Sequence, residues 1–109
     1  MKLRLAVGPR DEQKLERTCQ RLLSQIRFSR SLAESIEATN ELSFVHDSIA
    51  VPYLVTAIEV KRTLAIDQRA ITGLGRIGTS EATAALEHLQ RDSRPETAKW
   101  ASDVLRTLR

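Results

Sequence analysis

The chain has one cysteine, one tryptophan, one tyrosine and two phenylalanines in 109 residues, and each scarcity excludes something. A single thiol cannot build a disulfide scaffold. Four glycines and three prolines are too few for a collagen repeat or a low-complexity linker. Apolar runs stop after a few residues, so no segment is expected to enter a membrane as a helix, and no signal peptide is expected. Lys and Arg are absent from residues 31–60, which instead hold five acids, Glu34, Glu37, Glu41, Asp47 and Glu59. The flanks are basic. Residues 1–30 carry eight basic and three acidic side chains, and residues 61–109 carry nine and six, for a net charge of +3. A surface that tracks phosphates needs an unbroken stripe of Lys and Arg, and the gap at 31–60 interrupts one, so nucleic acid is not the expected partner.

What is present is helical patterning. The 41% hydrophobic content is enough for one domain to fold. Residues 2–7 alternate charged and apolar and then meet Gly8-Pro9, a strand signal ended by a turn. A lone strand has no partners in a helical domain. Residues 1–9 are therefore read as an extended lead-in. The alternative is the end of a preceding β domain in a longer chain, which would allow export of the parent protein.

Residues 10–109 read as six helices. Leu15, Cys19, Leu22, Leu23 and Ile26 recur at three- and four-residue spacing. Ser29 or Ser31 offers a cap for a second stripe, Leu32, Ile36, Ala38, Leu42 and Val45. Asp47 or Ser48 precedes Val51, Leu54, Ala57 and Ile58, with Pro52 in the first turn, where its missing N–H costs nothing. Leu64, Ile66, Ala70, Leu74 and Ile77 form a fourth stripe ending at Gly78. Thr79 opens a fifth helix with Ala82, Ala85, Leu86 and Leu89, and Ser93 is available to cap a sixth with Ala98, Ala101, Val104, Leu105 and Leu108.

The helices repeat in pairs. Ala50 and Leu54 match Ala82 and Leu86 at an offset of 32, and Leu22 and Ile26 fall under Leu54 and Ile58 at the same offset. Ala70 and Leu74 lie 32 residues after Ala38 and Leu42 and 31 before Ala101 and Leu105. The units are about 10–46, 47–78 and 79–109. Asp47-Ser48-Ile49-Ala50-Val51-Pro52-Tyr53-Leu54, followed by Ala70-Ile71-Thr72-Gly73-Leu74-Gly75-Arg76-Ile77-Gly78, resembles a HEAT repeat of the short bacterial type also found in phycobilin lyases. The third unit resembles it more loosely, with Arg106 where Gly75 stands. The first is the most divergent, with Ser43 and His46 at two glycine positions. The resemblance implies an all-α superhelix, a solenoid of three antiparallel helix pairs used as a binding scaffold. It implies no single chemistry.

Gly73-Leu74-Gly75-Arg76-Ile77-Gly78 fits G-x-G-x-x-G, but a dinucleotide site needs that motif to follow a strand and open a helix. Here it closes one, so no cofactor is expected. His46 and His88, the two histidines, and Cys19 are too few and too scattered for a zinc site. Cys19 reads as a half-buried core thiol, His46 as a corner residue and His88 as an exposed one. Glu34, Glu37 and Glu41 read as a solvated helix face. No nucleophile pattern is present, and an enzyme is not expected.

In such solenoids the second helix of each pair lines the concave side. Three rows of candidate partner-binding residues follow: Glu37, Asn40 and Phe44; Arg69, Thr72 and Arg76; Trp100 and Asp103, with Thr107 beyond. Trp100 stands either as an interface anchor or as a cover for the open end of the last repeat. The expected function is a non-catalytic scaffold that binds another protein or another domain of its own chain. The rivals are a tetrapyrrole-handling domain, disfavoured by the shortage of aromatics, and a nucleic-acid surface, disfavoured by the charge gap.

Overall fold

The computed structural model describes residues 9–108, so residues 1–8 of the expected lead-in lie outside the described residues, while Pro9, expected to end it, is the first residue of a helix. Those residues form α1 (Pro9–Phe28), α2 (Leu32–Ser43), a 3-10 turn (Ser48–Ala50) running into α3 (Val51–Lys61), then α4 (Leu64–Ile77), α5 (Ser80–Leu89) and α6 (Pro95–Leu108). The fold is all-α, with six α-helices and no strand among the described residues.

The helix starts follow from single side chains. Ser31, Thr63 and Thr79 each accept a hydrogen bond from the backbone N–H three residues on, and Asp47 accepts one from Ile49, satisfying donors that a helix start leaves free. Pro52 lies in the first turn of α3. Ahead of the last helix the Asp92 carboxylate accepts from the Arg94 N–H at 2.9 Å and also holds the Arg94 side chain, a turn that leads into Pro95. Gly78 ends α4 in the left-handed region (φ 64) and donates its N–H to the Leu74 carbonyl. His46 (φ 57) and Arg62 (φ 46) adopt the same conformation without glycine's freedom.

Each consecutive pair packs as a hairpin. In addition α1 packs on α3 and α3 on α5, while α2 packs on α4 and α4 on α6. Two helix layers result, and the overall extents of 43 × 37 × 15 Å match a slab two helices thick. The core between the layers is built from Leu22, Ile26, Leu42, Leu54, Ile58, Ile66, Ile71, Leu74, Leu86 and Leu105. Leu32 and Leu64, expected in their stripes, are exposed because each occupies the first residue of its helix. Val45 lies beyond the end of α2 and still packs against the core.

Cys19 is buried completely, deeper than the expected half, because α3 and the 3-10 turn both pack on α1. Burial, reinforced by the negative charges of Glu16 and Asp47, pushes its thiol up to about 11. We expect labelling by a thiol-specific disulfide reagent at pH 8 to be at least ~100-fold slower in the native protein than in denaturant. Comparable rates would show that the α1–α3 contact opens readily.

Candidate functional site

Residues 69, 72 and 76 of α4 are spaced by three and four, which puts them on one side of the helix. The structure brings them against α2. Asn40, Ser43, Gln68, Arg69, Thr72 and Arg76 line a cleft of about 230 Å³. Phe44 joins from the end of α2, where the Arg76 guanidinium stacks over its ring at 4.0 Å. Five of the eight expected residues thus come together.

The other three do not. Glu37 lines a separate groove of about 850 Å³ between α1 and α2, with Phe28, Glu34 and Glu41. It lies about 60° around α2 from Asn40 and stays with the acids one turn away. Trp100 and Asp103 are on α6, beyond α4. Trp100 is 37% exposed. Asp103 pairs with Lys99 at 3.0 Å and with Arg106, and the Lys99 hydrogen bond with both cations holds its carboxyl below the usual range.

Inside the cleft the polar groups are partly committed. Arg69 donates through Nη1 to the Ala65 carbonyl at 3.1 Å, a contact within its own helix. Arg76 Nη1 donates to the Ser43 carbonyl (3.4 Å) and hydroxyl (3.2 Å). The Thr72 hydroxyl donates to the Gln68 carbonyl at 2.7 Å. Among the described residues no carboxylate pairs with Arg69 or Arg76, whereas Arg62 and Arg106 each have one carboxylate partner and Arg94 has two. The arrangement presents two guanidiniums, two amides and hydroxyls, and no acid. Its chemistry suits an anion.

The approach of α2 to α4 is set by glycine. A Cβ at Gly73 would meet Ser43 Cα and Cβ at 2.8 Å, and one at Gly75 would meet Val104 Cγ1 of α6 at 2.6 Å. The glycine motif therefore packs α4 between its neighbours and then ends the helix at Gly78.

One polar network escapes the reading from sequence. Asp67 is fully buried, its Oδ2 lying 2.6 Å from Arg94 Nη1 and accepting from Thr97 Oγ1 at 2.6 Å. Arg94 Nε reaches Asp92 at 3.3 Å, and Arg62 reaches it at 3.5 Å. These residues join the corner between α3 and α4 to the corner between α5 and α6. Two signals were available. Asp67 sits three and four residues before Ala70 and Ile71, on a buried face where an acid needs a partner, and arginines recur at 30, 62 and 94 with the repeat period. Asp67 Oδ1 and Arg94 Nη2 are buried without partners.

Among the described residues no group of three or more His, Cys, Asp or Glu is placed to hold a metal ion, and no helix is long and apolar enough to cross a membrane. The site defines an all-α chain with a polar, arginine-bearing cleft between successive helix pairs. No family model, curated protein or solved structure matches the chain.

Proposed function

We propose that the protein is a non-catalytic interaction scaffold. Its three HEAT-like helix pairs form a short solenoid, and the face made by α2, α4 and α6 binds another protein or another domain of the same chain. The observation that carries this reading is the pair of guanidiniums on α4, held in a cleft free of acids and left without carboxylate partners. A partly immobilised pair of arginines beside an aromatic ring suits an interface anchor, since Arg and aromatic side chains dominate binding hot spots. Trp100 adds an exposed aromatic on the neighbouring helix, α6. The layering of α1, α3 and α5 against α2, α4 and α6 supports the repeat reading.

The test is affinity capture from the source organism's lysate with mass-spectrometric identification. The wild type is compared with a Trp100→Ala, Arg69→Ala double variant whose folding is first checked by thermal melting. The expected result is a protein retained by the wild type and lost from the folded variant. Equal capture by both, or capture by neither, overturns the assignment of this face.

A further inference from the structure

We propose that the α2–α4 cleft takes an acidic peptide segment in extended conformation, with two of its carboxylates held by Arg69 and Arg76. This rests on the reading of the face as a partner-binding surface and names the chemistry that it accepts.

Charge complementarity is the first argument. The six cleft residues include two cations and no acid, and neither cation has a counter-ion among the described residues. A guanidinium carries five N–H donors and pairs with a carboxylate through two parallel bonds. Arg69 and Arg76 each commit only Nη1 to the protein, which leaves the remaining donors for a ligand.

Preorganisation is the second. The Phe44 ring under Arg76 and the two contacts to Ser43 already fix that guanidinium, so binding immobilises less side-chain freedom than an unrestrained arginine would lose.

Spacing is the third. Arg69 and Arg76 are seven residues apart, so about 10 Å separates them along the helix axis. A polyproline II segment rises about 3.1 Å per residue and returns to the same face every third residue, so carboxylates at positions i and i+3 stand about 9 Å apart. Such a segment leaves its own backbone donors and acceptors unpaired. The Asn40 and Gln68 amides in the cleft offer both a donor and an acceptor to them. A nucleic-acid strand fits less well, because a phosphate backbone needs a continuous stripe of Lys and Arg, and residues 31–60, which include all of α2, hold none.

The experiment is an amide-shift titration of the isotopically labelled full chain, in low salt, with acetyl-Glu-Pro-Pro-Glu-Pro-Pro-Glu-amide as the probe. The same sequence with glutamine for glutamate and a hexathymidylate serve as comparison ligands. We expect saturable shifts confined to residues 40–44 and 68–76, and affinity at least ~10-fold weaker for the glutamine peptide. Arg69→Gln, which removes one hydrogen bond made within α4, should weaken binding ~5-fold without unfolding the chain, and adding Arg76→Gln should bring the loss to ~20-fold or more. Absence of saturable shifts, shifts centred on another surface, equal affinity for the glutamine peptide or tighter cleft binding by hexathymidylate would each overturn the proposal. If it fails while a captured protein is still lost on Trp100→Ala, the partner-binding face stands and only the acidic-peptide chemistry falls.

Discussion

Replacing Asp67 with alanine is expected to lower the unfolding free energy by about 3 kcal/mol, a large share of what a domain of this size has. Asp67 Oδ2 is the acceptor for both Arg94 and Thr97. Removing it leaves a guanidinium that is only 25% exposed with Asp92 as its remaining counter-ion, strands the buried Thr97 hydroxyl and opens a small cavity. Asp67→Asn keeps the shape and an acceptor, and should cost less, about 1 kcal/mol. Burial raises the Asp67 carboxyl above its ordinary value, outweighing the Thr97 hydrogen bond and the Arg94 charge. The folded chain therefore keeps a proton where the unfolded chain has already released it. The contribution of Asp67 is fullest below about pH 4 and declines as pH rises through the folded value. In urea unfolding, the gap between wild type and Asp67→Asn should thus be wider near pH 3.5 than at pH 7. A gap that widens toward neutral pH would show that the Arg94 charge governs the pair. A loss below about 1 kcal/mol for Asp67→Ala would show that the network relaxes without it.

The helices were legible because their signals are local. Ser31 and Thr79 cap the stripes that they precede, and Gly78 closes the stripe it follows, whereas Thr63, which caps α4, was not singled out. The Asp67 network was less so, because its partners are 27 and 30 residues away and the acid sits among aliphatic neighbours that dominate the pattern. At the cleft, the α4 residues share a face by spacing alone and were found. Ser43 and Gln68 were not, since their part in the site depends on how closely α2 lies against α4. That distance is written in Gly73, whose role is visible only once its neighbour is known.

Gly73→Ala should therefore be the most damaging single-methyl change in the chain. In an isolated helix alanine would be favoured over glycine by about 1 kcal/mol. Here the added Cβ would stand 2.8 Å from both Ser43 Cα and Cβ and 3.2 Å from the Ser43 carbonyl oxygen. A flexible side chain can swing aside; the α2 backbone cannot without disturbing Leu42, Ile71 and Leu74, which are completely buried. Overpacking of this kind outweighs the propensity gain, and we expect a net loss of about 2 kcal/mol. Gly75→Ala supplies the contrast. Its Cβ would meet only Val104 Cγ1, so Val104→Ala in the same chain should restore most of the lost stability. Ser43→Ala should not rescue Gly73→Ala, because Ser43 Cα remains at 2.8 Å. Urea unfolding of the four variants decides the matter. Neutral or stabilising behaviour of Gly73→Ala would mean that α2 moves off α4 at no cost. Since that spacing also shapes the cleft around Arg69 and Arg76, the same substitution should weaken acidic-peptide binding although it removes no polar group.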